Sequence, residues 1–154
     1  MCGMTEATIV SIDDHRRLAA TTYNVCWDLL ESERTALQDR DLVGLALTSR
    51  FHWQRAGGGS EESAIADWMV SRCFAAVGDA AQSMSFAQAA LDDLPSDAPE
   101  WLKASIHEGL ALAYAVAGER VSRDRHVALA HEHLALEPDP ESRNLIAGQL
   151  ATLP

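Results

Sequence analysis

Residues 73–79, "CFAAVGD", and residues 113–119, "AYAVAGE", carry one pattern twice. Each runs from an aromatic residue through small residues to glycine and an acid, and each is followed by a second apolar-periodic stretch that closes on "ALDDLP" or "LALEP". Glycine just past the end of a helix can take the left-handed backbone that satisfies the last carbonyls. An acid beside it suits the positive start of the next helix. The two corners therefore predict helices ending at Gly78 and Gly118, with partner helices over about 80–93 and 122–136.

The same punctuation runs through the rest of the chain. "SIDDHRR" at 11–17 offers Ser11 or Asp13 as a cap for a first helix reaching about Leu30. "ESERTALQDRD" at 31–41 reads as a polar break before a second helix of about 41–55. In "AGGGSEES", 56–63, the glycines stop that helix and Ser60 caps the third. "LPSDAPE" supplies a turn with Ser96 or Asp97 as cap and Pro99 near the first helical position of the fifth helix. "EPDPES" introduces a short seventh. Alanine and leucine dominate, β-branched runs are few, and no proline precedes Pro95. The expected fold class is all-α: stacked antiparallel helical hairpins, about seven helices, in one domain covering 1–154, with residues 1–10 a flexible terminus.

Composition bounds the function. A chain of 154 residues with 47% hydrophobic and 23% charged residues can bury a full core. A net charge of -11 argues against nucleic acid, whose phosphates demand a basic surface, and against anionic membranes. No apolar run approaches the roughly 18 residues that span a bilayer. The start, "MCGMTEATIV", lacks the basic and apolar regions of a signal peptide, and Cys2 reads as an exposed thiol. Cys26 and Cys73 read as small core residues of a reduced, cytoplasmic protein.

Over residues 64–140, the two corners with their closing prolines resemble tetratricopeptide (helix–turn–helix) repeats. The units are offset by 40 residues, against about 34 in that family, and lack its Trp/Leu-Gly signature. The stretches "NVCWDLLE", "TSRFHW", "ADWMVSR" and "AYAVAG" also resemble a group of small, uncharacterised bacterial helical proteins. The resemblance implies stacked hairpins with a concave inner surface, and carries no function across.

Placing each helical residue about 100° from the last shows which polar groups fall on apolar faces. Arg50 lies among Leu42, Val43, Ala46, Leu47 and Trp53, with His52 at the margin. Arg72 lies among Ile65, Trp68, Ala75 and Ala76, one turn from Trp68. His15 lies among Leu18, Ala19, Cys26 and Leu29. The fifth helix, "WLKASIHEGLALAYAVAG", is apolar all round, which marks a buried helix. Its mid-helix ionisable groups are His107 and Glu108. His126 and His133 lie within the apolar stripe of the sixth. A buried carboxylate needs a cation or a proton, so these groups are expected to meet one another or a ligand.

Two arginines to one glutamate leave a positive surplus, which favours an anionic ligand unless Asp67 or Glu31 absorbs it. The leading expectation is therefore a binding module. Arg50 and Arg72 would hold a small-molecule anion or peptide carboxylate beside an aromatic wall of Trp53 and Trp68, with His126 nearby. A small enzyme is the second reading, with Glu108, His15, His52 or His107 as general acid or base. A structural or homodimerising domain is the third, and follows if the ionic groups pair internally. Trp27 and Trp101 either anchor the helical layers or line the pocket.

No cofactor motif is present. His126 and His133 stand two turns apart, about 10 Å, too far for one ion. "HEGLA" lacks the second histidine of a zinc-protease motif. A metal could be held only across helices, for instance by His15, His52, His107 and Glu108, and none is expected.

Overall fold

A computed structural model describes residues 10–154, and the two repeated corners take one conformation in it. The helices are α1 (Ile12–Leu30), α2 (Ala36–Arg55), α3 (Ser60–Ala76), α4 (Ala80–Asp93), α5 (Glu100–Val116), α6 (Arg120–Leu136) and α7 (Pro140–Ala151). Gly78 and Gly118 have φ of 82° and 77°. After α3, the amides of Gly78 and Asp79 donate to the carbonyls of Ala75 and Phe74; after α5, those of Gly118 and Glu119 donate to Ala115 and Tyr114. This double closure satisfies carbonyls that a helix end otherwise leaves bare. Residues 1–9, with the Cys2 thiol expected to be exposed, lie outside the described residues.

Caps account for the other boundaries, and three differ from expectation. Ser11 caps α1, accepting from the Asp14 amide at 3.1 Å. The second helix begins at Ala36, five residues before the expected 41, because Thr35 and Gln38 form a reciprocal capping box. "TALQDRD" is polar because the first turn of this helix faces water, and it is no break. Gly59, not Ser60, is the N-cap of α3, and the Glu62 carboxylate accepts its amide. Neither Ser96 nor Asp97 caps α5. Pro99 stands at that position, and the Glu137 carboxylate reaches back from the end of α6 to accept the Trp101 amide at 2.8 Å.

Among the described residues there is no strand, and consecutive helices pack in pairs: α1 on α2, α3 on α4, α5 on α6. The odd-numbered helices pack in succession, α1 to α3 to α5 to α7, whereas the backbones of α2, α4 and α6 stay apart. The odd helices thus form an inner layer and the even helices an outer one. The apolar helix α5 is the centre of this arrangement, packed against α3, α4, α6 and α7. Cys26 and Cys73 are fully buried in the main core, as expected of small core residues. A smaller core of Ala104, Ala130, Leu134, Ile146 and Leu150 seats α7 on α5 and α6. No described helix is long and apolar enough to cross a membrane.

Candidate functional site

The inner helices, with Trp53 of α2, line a half-open cavity of about 480 Å³, and all four tryptophans of the chain face it. Trp27 comes from α1, Trp53 from α2, Trp68 from α3 and Trp101 from α5; Leu145, Ile146 and Gln149 of α7 complete the wall. A second cavity, about 550 Å³, adjoins it along Trp27, Leu145 and Gln149, and Arg72 is the cation on its lining. Both are of the size that holds small molecules, roughly 300–1,000 Å³. The expected aromatic wall of Trp53 and Trp68 is present. Trp27 and Trp101 join it, which the sequence left open.

Trp68 fixes the geometry of this wall. Its indole lies against the backbone of α5 at Gly109, so closely that a Cβ there would stand 2.6 Å from Trp68 Cδ1. Trp27 packs on it with ring centroids 5.8 Å apart. The Arg72 guanidinium lies over both rings, 5.5 Å from the Trp27 centroid and 5.3 Å from that of Trp68. Such cation–π contacts favour a guanidinium at an apolar wall.

Arg72 donates through Nη1 to Glu108 Oε2 at 2.5 Å, across the α3–α5 interface. Glu108 is 1% exposed, and its second oxygen, Oε1, has no partner among the described residues. Arg72 has no other acceptor among those residues and lines the second cavity, so donors of its five-donor fork remain for a ligand or water. Arg50 pairs with Asp67, which is buried, and its guanidinium lies over Phe86 of α4 at 5.5 Å. Burial pushes the Asp67 carboxyl up, against the pull of Arg50. Each arginine thus has its own carboxylate, and the expected positive surplus is absent. Arg50 lines neither large cavity.

The histidines fall into two separate groups. His15 of α1 and His52 of α2 meet through their Nδ1 atoms at 2.6 Å, one ring donating to the other. Burial and the neighbouring His15 lower the basicity of His52. His107, His126 and His133 meet between α5 and α6. His107 and Glu108, adjacent in sequence, reach different helices: His107 toward α6 and Glu108 toward Arg72 of α3. The candidate acid–base residues are therefore not brought into one constellation, and none of them lines either cavity. Helices α1 and α2 touch neither α5 nor α6, so His15 and His52 do not converge with His107 and Glu108 as metal ligands. Among the described residues no group of three or more His, Cys, Asp or Glu is placed to hold a metal ion.

Several contributors were not singled out in the sequence. Glu137 was missed because its partners, the amides of Trp101 and Asp139, lie at the starts of two other helices. Tyr114 and Glu100 complete the histidine group, and the α7 residues complete the groove. No family model, curated protein or solved structure matches the chain.

Proposed function

We propose that the protein is a binding module of degenerate, tetratricopeptide-like hairpins, and that its inner groove holds a small amphipathic molecule. The observation that carries this reading is the convergence of four tryptophans from four helices on one cavity. Aromatic side chains used only to fill a core have no reason to leave about 480 Å³ between them. The cavity is too small for a folded partner and lies within the range for a small molecule. Its wall supplies apolar area, so the body of the ligand is apolar. The anionic end, a carboxylate or phosphate, is assigned to the remaining donors of Arg72, where the two cavities meet at Trp27. Arg50, paired and outside the groove, is part of the packing between α2 and α3.

Titration of tryptophan fluorescence with phenylbutyrate and decanoate, and with their uncharged primary amides, tests this. The acids are expected to change the emission saturably. The amides are expected to bind about tenfold more weakly, the equivalent of one charged contact worth about 1.4 kcal/mol. Equal binding of acid and amide would remove Arg72 from the site. No saturable change with any of the four would overturn the groove reading.

A further inference from the structure

Four rings stack in a ladder along the α5–α6 interface, drawn alternately from the two helices. Tyr114 of α5 lies on His126 of α6, which lies on His107 of α5, which lies on His133 of α6. Successive centroids are 5.5, 5.3 and 5.6 Å apart, with interplanar angles of 9°, 26° and 4°. His107 Nδ1 and His126 Nδ1 are 3.0 Å apart and share one proton. His133 Nδ1 meets Glu100 Oε2 at 2.7 Å and ends the ladder. We propose that this ladder is a proton-sensitive latch: it clamps α6, and with it α7, onto α5 when neutral, and releases them when His107 and His126 are both protonated.

The chemistry is specific to this arrangement. Two neutral imidazoles facing through Nδ1 make one hydrogen bond, because one nitrogen carries a proton and the other does not. When both rings are imidazolium, two N–H groups point at each other, and the bond becomes a repulsion between stacked cations. Burial, then the charges of His126 and His133, hold His107 down at about 4. Burial and Arg125 lower His126. On α5 the charged neighbours are Glu100, spent on His133 and Lys103, and Glu108, spent on Arg72 of α3. Helices α3, α4 and α7 also pack on α5, but no charge from them bears on His107. Nothing near the ladder's centre therefore offsets a second proton.

Release reaches the groove through α7. Ile146 and Leu150 of α7 are seated on Ala104 of α5 and on Ala130 and Leu134 of α6. Ala130 and Leu134 lie on the same helix as the ladder's His126 and His133, so a displaced α6 removes two of the three residues of that seat. Leu145, Ile146 and Gln149 would leave the groove with it. Loss of ligand at low pH rests on the binding reading above; the latch itself does not.

Amide hydrogen exchange, corrected for the intrinsic pH dependence and resolved by helix, at pH 7.5 and pH 5.0 is the test. A histidine held at about 4 when closed and near 6.5 when open makes opening on the order of thirtyfold easier at pH 5.0. Protection in α6 and α7 should fall by about that factor through a local opening that costs less than the opening of α1 to α3 at both pH values. Replacing both partners by phenylalanine, His107→Phe with His126→Phe, retains the stack and should abolish the pH effect. His126→Gln, which removes one proton site, should reduce it if the double variant does not fold. His15→Gln with His52→Gln should leave it unchanged. Opening of α6 and α7 only together with α1 to α3, no loss at pH 5.0, or a loss unaffected by the ladder variants would overturn the latch. Phenylbutyrate added at both pH values separates the two ideas. Binding at pH 7.5 lost in step with α7 protection supports the coupling, and binding that persists while α7 exchanges freely overturns it. Where no binding occurs at pH 7.5, the groove reading fails and the exchange data alone decide the latch.

Discussion

Gly109→Ala is the substitution that most directly probes how Trp68 is held. The new methyl carbon would stand 2.6 Å from Trp68 Cδ1 and 3.0 Å from Nε1, well inside van der Waals contact. The ring cannot swing aside cheaply, because Trp27 packs on it and Arg72 lies over it. Overpacking of this kind costs about 1–3 kcal/mol, and a buried indole against a helix backbone belongs toward the upper end. Replacing a mid-helix glycine by alanine returns about 1 kcal/mol of helix propensity. The net expectation is a loss of about 1–2 kcal/mol, or roughly 3–8 °C in melting temperature for a chain of this size. Gly44→Ala is the matched control. It is also mid-helix, no atom lies within 4 Å of its Cβ position, and the position is exposed. It should gain about 0.5–1 kcal/mol. Thermal unfolding by circular dichroism reads both. Equal stabilisation by the two substitutions would refute the tight contact between Trp68 and α5.

The polar pairs give four further outcomes. Arg72→Met leaves Glu108 buried without its cation and should cost about 2–4 kcal/mol by chemical denaturation, below the usual 3–5 for a wholly buried pair because 14% of the arginine side chain is exposed. The double variant Arg72→Met, Glu108→Met should recover most of that loss, since two apolar side chains leave no bare charge. Glu137→Ala strips acceptors from the amides of Trp101 and Asp139 and should cost about 1–3 kcal/mol, with α5 and α7 fraying first in hydrogen exchange. Because His107 is held at about 4 in the folded protein, below its ordinary value of 6.5, the unfolded state takes the proton first. Its contribution is complete above about pH 6.5 and is lost as pH falls toward 4, by about 2–3 kcal/mol in denaturation midpoints measured across that window.

What the sequence made legible follows from how local each feature is. The corners at Gly78 and Gly118 were readable because a left-handed glycine and its flanking carbonyls lie within six residues. The start of α2 was readable in principle from Thr35 and Gln38, but polarity at 31–41 masked the capping box. Arg50 was expected to meet another buried group or a ligand, and it meets Asp67 across the α2–α3 interface. Which carboxylate was harder to read, because Asp67 lies off the apolar stripe of α3. That stripe is a poor guide for a helix enclosed by α2, α4 and α5, where nearly every face is buried. The same enclosure explains His107 and Glu108. Both are core-facing on an all-round apolar helix, yet they serve different neighbours. The gathering of Trp27, Trp53, Trp68 and Trp101 depends on the superposition of four helices, and no spacing along the chain encodes that.

The tryptophan-lined cavity is proposed as a binding site. Nitrogen-15 NMR of the tryptophan indoles tests it most directly, since each indole N–H gives its own signal and all four belong to cavity residues. Addition of phenylbutyrate at neutral pH should shift these signals together, saturably and with one dissociation constant. Most backbone amides of α4, which contributes nothing to the cavity, should stay in place. Indole signals that stay fixed across the series of aryl and alkyl carboxylates would contradict the account, and would leave the four tryptophans as packing alone.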